Sequence, residues 1–184
     1  YGRFEFADIQ LAIDHITNQR DRGQEPATID LRFAAAGAGL VHSTMQYNMF
    51  APGLSMRYEG GVGRFDPTIL NTMTVDLEGV RITGGVVDTL WFRVAVEDDV
   101  ATGRLQARYR DLRIATLDKV TRNRSLGDHL ESFISNTFAL RVDNPKPEEP
   151  AMTAFIRVER PDDMPRLKFL WRTLRAGVGE PVGI

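Results

Sequence analysis

Cysteine is absent from the 184 residues of this chain. That excludes disulfide staples, thiol nucleophiles and cysteine-ligated metals, and it leaves the compartment open. Histidine is nearly as scarce. His15, His42 and His129 stand in separate stretches, with no metal-ligand spacing between them. Long apolar runs are missing too. Those present are short, as in Leu90-Trp91-Phe92, far below the roughly 20 residues that cross a bilayer as a helix. Neither sign of charge dominates. A net charge of -2 gives no general pull toward nucleic acid, and no nucleic-acid partner is expected. No secretory signal pattern opens the sequence. Tyr1-Gly2-Arg3-Phe4-Glu5-Phe6 reads as a strand already under way, so we expect a fragment of a longer protein. Residues 1–184 are expected to form one domain, large enough for a sizeable core.

What is present is alternation. From Thr28 to Ile114 the chain returns repeatedly to apolar residues at every second position, the signature of strands with one face on an apolar interior. Phe4 and Phe6 alternate in one phase, and Ile9, Leu11 and Ile13 in the other, which predicts a β-bulge near Ala7-Asp8. A polar loop from Thr17 to Ala27 follows. Ile29, Leu31, Phe33 and Ala35 then share one side, and Val41, Ser43, Met45, Tyr47 and Met49 another. Leu54, Met56 and Tyr58 continue in period two, and so do Met73, Val75 and Leu77. Leu90, Phe92, Val94 and Val96 form the next face, and Glu97-Asp98-Asp99 a hairpin tip. Leu105, Ala107 and Tyr109 oppose Arg104, Arg108 and Arg110.

The period then changes. Leu126, Leu130, Phe133, Ile134 and Phe138 stand at helical spacing. Three prolines between Asp143 and Pro150 demand a loop, and Met152, Ala154, Ile156 and Val158 read as a last strand. Leu167, Leu170, Trp171, Leu174 and Val178 mark a second helix starting near Pro165. The expected fold is therefore mainly β with two helices, a β-rich α+β arrangement. It is a curved or folded antiparallel sheet, as an open groove or sandwich-like, with an amphipathic helix near 125–139 and a C-terminal helix near 165–177.

Motifs that could carry chemistry have plainer explanations. Ser125, Asp128 and His129 suggest a triad, but an N-cap accounts for the first two. Gly60-Gly61-Val62-Gly63 lacks the Lys-Ser/Thr ending of a phosphate loop and reads as a bulge or bend. Arg104, Arg108, Arg110, Arg113, Lys119, Arg122 and Arg124 make a basic stretch. Arg104, Arg108 and Arg110 project from the polar face of one strand and fit a solvated sheet face with acidic cross-strand partners, the alternative being contact with anionic lipid headgroups or a partner protein. The C-terminal helix says more. Arg166, Lys168, Arg172 and Arg175 crowd the surface left by its apolar seam, with no acid between Arg166 and Ala176. Such a helix either docks on the sheet or meets a membrane surface. No catalytic residue, metal ligand or cofactor is expected.

Several residues together resemble a family. Gly84-Gly85-Val86-Val87-Asp88, Gly103-Arg104-Leu105, Tyr109-Arg110-Asp111-Leu112, a helix, Asn144-Pro145, Arg157 to Arg160 and the run Phe169 to Gly177 resemble the C-terminal region of AsmA-like (TamB-related) bacterial envelope proteins. The likeness spans roughly residues 60 to 180, and its motifs are structural. It implies a bridge-like lipid transfer protein, anchored in the inner membrane and crossing the Gram-negative periplasm. The implied function is carriage of phospholipid along an apolar β surface, in outer-membrane biogenesis or lipid homeostasis.

On that expectation the partner is phospholipid or another acyl-chain lipid, with a possible contact to the membrane surface or to another envelope protein. The lipid-facing candidates are Met45, Tyr47, Met49, Leu54, Met56, Tyr58, Met73, Val75 and Leu77. The candidates for a lid or membrane helix are Leu167, Leu170, Trp171, Leu174, Arg166, Lys168, Arg172 and Arg175. Two other readings stay open: a structural domain that docks an envelope protein, and a hydrolase in which His42 or His129 meets a carboxylate. Alternation alone leaves open whether the apolar face lines a groove or fills a closed core.

Overall fold

A computed structural model describes residues 6–21, 25–35, 39–116 and 142–182. The expected helix near 125–139 lies outside these residues, as do Lys119, Arg122, Arg124, Ser125, Asp128 and His129. Seven strands form a single antiparallel sheet in sequence order: β1 (Phe6–Asp14), β2 (Ala27–Ala35), β3 (Leu40–Tyr47), β4 (Met56–Val62), β5 (Val80–Glu97), β6 (Val100–Thr116) and β7 (Ala154–Glu159). The sheet is open, with β1 and β7 at its two edges. The predicted bulge in β1 is present as a register shift between Ala7 and Gln10, with Asp8 at φ 53°. The β5–β6 hairpin turns at Asp98 and Asp99, both at positive φ, which suits the right-handed twist of the strands it joins.

One segment corrects the sequence reading. Met73, Val75 and Leu77 were expected in a strand, but they lie in a short helix, α1 (Asn71–Glu78). Asp66 caps the preceding 3-10 turn by accepting from Thr68 N at 2.9 Å, and Pro67 occupies its first position. Gly79 closes α1 in the left-handed conformation at φ 65°. The Asn71 side chain then pins α1 to β5, donating to Ile82 O at 2.8 Å and accepting from Ile82 N at 2.7 Å. Gly84 and Gly85 sit inside β5 where its register with β6 slips.

The C-terminal helix is present as α2 (Arg166–Val182), which packs on β6 and β7. Its buried side differs from the predicted seam. Phe169 and Thr173 are fully buried, and Leu170, Leu174 and Val178 flank them. Trp171, placed in the seam by its helical spacing, remains exposed. The inward line Phe169, Thr173, Gly177 rises in steps of four, one residue per turn on one face. At Gly177 an added Cβ would lie 2.8 Å from Ile156 Cδ1 and 2.9 Å from Leu105 Cβ. Absence of a side chain is what lets the helix come this close.

Beneath α2 and the 3-10 turn lies the core: Met56 and Tyr58 of β4, Val94 and Val96 of β5, Ala101, Leu105 and Tyr109 of β6, and Ile156 of β7. Register explains its one-sidedness. Met56, Val96, Ala101 and Val158 form one cross-strand row, and Tyr58, Val94, Gly103 and Ile156 the next. The alternate positions make the polar face. There Arg93 pairs with Glu59, and Arg110 makes a two-point contact with Asp88 at 2.9 Å each. Arg104 lies over the exposed Phe155 ring. Acidic partners for the arginine stretch are therefore found at Arg110, while Arg104 faces an aromatic ring.

Candidate functional site

The rows that build the core continue beyond it. Tyr58 pairs with Met45, Met45 with Ile29, and Ile29 with Ile13. Residues directly opposite in an antiparallel ladder point to the same side. Ile13, Ile29 and Met45 therefore share the face that α2 covers farther along. Leu11 pairs with Leu31, and Phe33 with Val41, on that same face. Here no helix of the described residues packs broadly: α2 meets β6 and β7 and reaches β3 through Arg166 on Tyr47, and α1 meets β5.

The consequence is an apolar surface in water. Ile9, Leu11 and Ile13 are 60%, 57% and 44% exposed. Ile29, Leu31, Phe33 and Val41 are only half-buried. The one polar residue in this field, Ser43, turns its hydroxyl onto Glu59 O at 3.0 Å. Three strands at about 4.8 Å spacing make a strip roughly 10 Å wide. A contiguous apolar patch of this kind on a folded chain marks an interaction surface more often than chance exposure.

The sequence candidates divide across this boundary. Met45 and Tyr47 lie on the open strip, half-buried, and Met49 is exposed in the loop beyond β3. Leu54, Met56 and Tyr58 were expected to face lipid and do not: all three are sealed in the core. Val75 lies on α1, away from any strand row, and so do the backbones of Met73 and Leu77. The residues that dominate the open strip are Ile9, Leu11, Ile13, Ile29, Leu31, Phe33 and Val41. Their alternation was visible in the sequence, but it read like that of the buried strands.

Polar features gather at the boundary. The Tyr58 hydroxyl is buried and, among the described residues, has no well-formed hydrogen bond. Burial pushes its ionisation up to about 12, opposed in part by the nearby Thr173 hydroxyl. Thr173 spends its own proton on Phe169 O at 2.9 Å. At the end of β3, Arg166 of α2 donates to the Tyr47 hydroxyl at 2.6 Å, its guanidinium carbon 5.6 Å from the centre of the Tyr47 ring. Lys168, Arg172 and Arg175 are exposed on the outer side of α2. Leu170 and Leu174 face the core. Of Leu167 the backbone alone is described, within the first turn of α2.

Residues expected of a catalytic or metal site do not converge. His15 pairs with Glu25 at 3.1 Å in an exposed loop, and His42 sits on the polar face between Arg32 and Gly61. Among the described residues no group of three or more His, Asp or Glu side chains could hold a metal ion. No described helix is long and apolar enough to cross a membrane. No family model, no curated protein and no solved structure matches the chain.

Proposed function

We propose that this chain is a non-enzymatic lipid-binding module of an AsmA-like envelope protein. It works in the periplasm, and phospholipid or another acyl-chain lipid lies along the apolar side of the curved β1–β3 region, which serves as an open groove. One observation carries the reading: the apolar face of the sheet continues from a closed core onto three strands that no described helix covers. An acyl chain on that strip gains on the order of 0.8 kcal/mol for each CH2 withdrawn from water. Covered β4–β7 give the strip a rigid wall, and α2 bounds it on one side.

A direct test is to purify the protein from bacterial membranes and from lipid-free refolding, then compare extracted lipid and uptake of a fluorescent fatty-acid probe. Copurified lipid, and probe binding lost in Leu11→Glu, are expected. A Leu11→Glu variant that binds the probe as well as the parent removes the proposal.

A second reading, docking of another envelope protein, is favoured by β1 itself. As an edge strand it offers an unpaired row of backbone groups beside its exposed side chains. It predicts a stable protein complex that forms in the absence of lipid and that a proline at Gln10 disrupts.

A further inference from the structure

The open strip ends on a cation. From the Val41–Phe33 row to the Tyr47–Ala27 row is six residues along β3, about 20 Å at roughly 3.3 Å per residue. Tyr47 closes that length on the apolar side, and Arg166 lies over its ring and bonds its hydroxyl. Arginine carries five N–H donors, and among the described residues Arg166 uses one, toward Tyr47. No carboxylate of the described residues forms an ion pair with it. The first turn of α2 contains no acid, and its unpaired backbone N–H groups add partial positive charge. Asp162 and Asp163, in the turn before α2, are the nearest acids in sequence and temper that field.

We propose that Arg166, steadied on Tyr47, is the headgroup anchor of the strip, so that the amphiphile it takes is an anion. Carboxylate or phosphate oxygens occupy the unused guanidinium donors, and the hydrocarbon chain runs away from them along β1–β3. This inference rests on the acyl-binding reading above and adds the chemical class of the ligand. A planar guanidinium donates to such oxygens in a two-point contact, and the hydrogen bond to the Tyr47 hydroxyl steadies the group before the ligand arrives. Tyr47 acts through Arg166 and is a positioning residue.

The test uses the whole chain and three probes: oleate, oleyl alcohol and inorganic phosphate. Affinities for the first two are read by displacement of a fluorescent acyl probe. Arg166→Gln is expected to weaken oleate about three- to five-fold, the range of one solvent-exposed charge contact, and to leave oleyl alcohol unchanged. Arg166→Lys retains part of the preference, and Tyr47→Phe lowers it less than Arg166→Gln does. Lys168→Gln, a charge removed one residue past Leu167, changes oleate less than Arg166→Gln. Circular dichroism confirms that each variant keeps α2. Equal weakening of both ligands in Arg166→Gln, or of neither, overturns the anchor while leaving acyl binding intact. Displacement of oleate by phosphate alone makes the site a free-anion site and overturns the lipid assignment. Failure of both amphiphiles to bind the parent protein overturns the acyl-binding reading itself.

Discussion

Met45 and Tyr58 are direct partners across β3 and β4 and point to the same side of the sheet, yet Tyr58 is sealed and Met45 is half-open. The border between core and open surface runs between these two side chains. It predicts a sharp drop in the cost of truncation from one strand group to the next. Val94→Ala, in the same row on β5, is expected to destabilise by about 2 kcal/mol through lost burial and a cavity. Leu11→Gln, on the open strip, is expected to stay within about 0.5 kcal/mol. Urea midpoints at constant m-value measure both, and similar losses at the two positions would show a covered strip.

Tyr58 itself predicts an alkaline weakness. In the unfolded chain a tyrosine ionises near its ordinary value of 10.0, and in the fold near about 12. Between those values the unfolded state binds fewer protons than the folded one, so stability falls as pH rises. It is intact below pH 10, and the loss grows to roughly 2–3 kcal/mol by the upper value. Tyr58→Phe removes a buried hydroxyl that has no partner among the described residues, so it is expected to be neutral or slightly stabilising at pH 7. It should also flatten this part of the stability curve between pH 10 and 12. Denaturant titrations of both proteins across that window decide the matter.

Gly177 sets how closely α2 meets the sheet. In an exposed helix a Gly→Ala change gains roughly 1 kcal/mol of helix propensity. Here the new methyl would press on Leu105 Cβ, which cannot swing aside, as well as on the mobile end of Ile156. Gly177→Ala is therefore expected to lose that gain, and Gly177→Val to cost about 1–3 kcal/mol by forcing the helix outward. Thermal melts give the order parent, Ala, Val. A stabilised valine variant would mean that α2 does not pack against Leu105.

How much of this was legible in the sequence follows the range of the forces involved. Alternation found the strands because every strand has one apolar side, a change in its phase marked the bulge near Asp8, and the hairpin at Asp98-Asp99 showed in local residue chemistry. The same alternation hid the border. Ile29, Leu31 and Phe33 of β2 read like Phe92, Val94 and Val96 of β5, although the first set is half-open and the second holds the core. Coverage depends on where a helix some 70 residues downstream of β5 lands, and period two carries no trace of that.

Local ambiguity accounts for the other differences. Met73, Val75 and Leu77 satisfy period two, but the cap at Asp66, the proline at position 67 and the stop at Gly79 outweigh it over only eight helical residues. The predicted seam of α2 follows the helical spacing of its large apolar residues, Trp171 among them, whereas close docking selects the small Thr173 and Gly177 beside Phe169.

Asn144 offers the last test, of the clamp that holds the returning chain against β6. It is fully buried, and its amide donates to Ala107 O at 2.6 Å and Met152 O at 3.2 Å while accepting from Met152 N at 2.8 Å. Its backbone bridges Tyr109 in both directions at 2.9 Å. Asn144→Ala leaves buried carbonyls and an N–H without partners, which costs about 2–4 kcal/mol in sum. Asn144→Asp keeps the shape but replaces the donating nitrogen with a second acceptor facing the Ala107 and Met152 carbonyls. At neutral pH it should therefore be at least as damaging as alanine, because a buried charge joins the lost bonds. Protonation restores one donor, so part of the aspartate deficit should return as pH is lowered, while the alanine deficit should not. Chemical denaturation of the two variants at pH 4.5 and pH 7 separates these effects. A deficit that is the same at both values for aspartate would show that the side chain is reached by water and that the clamp is carried by the backbone bridge to Tyr109 alone.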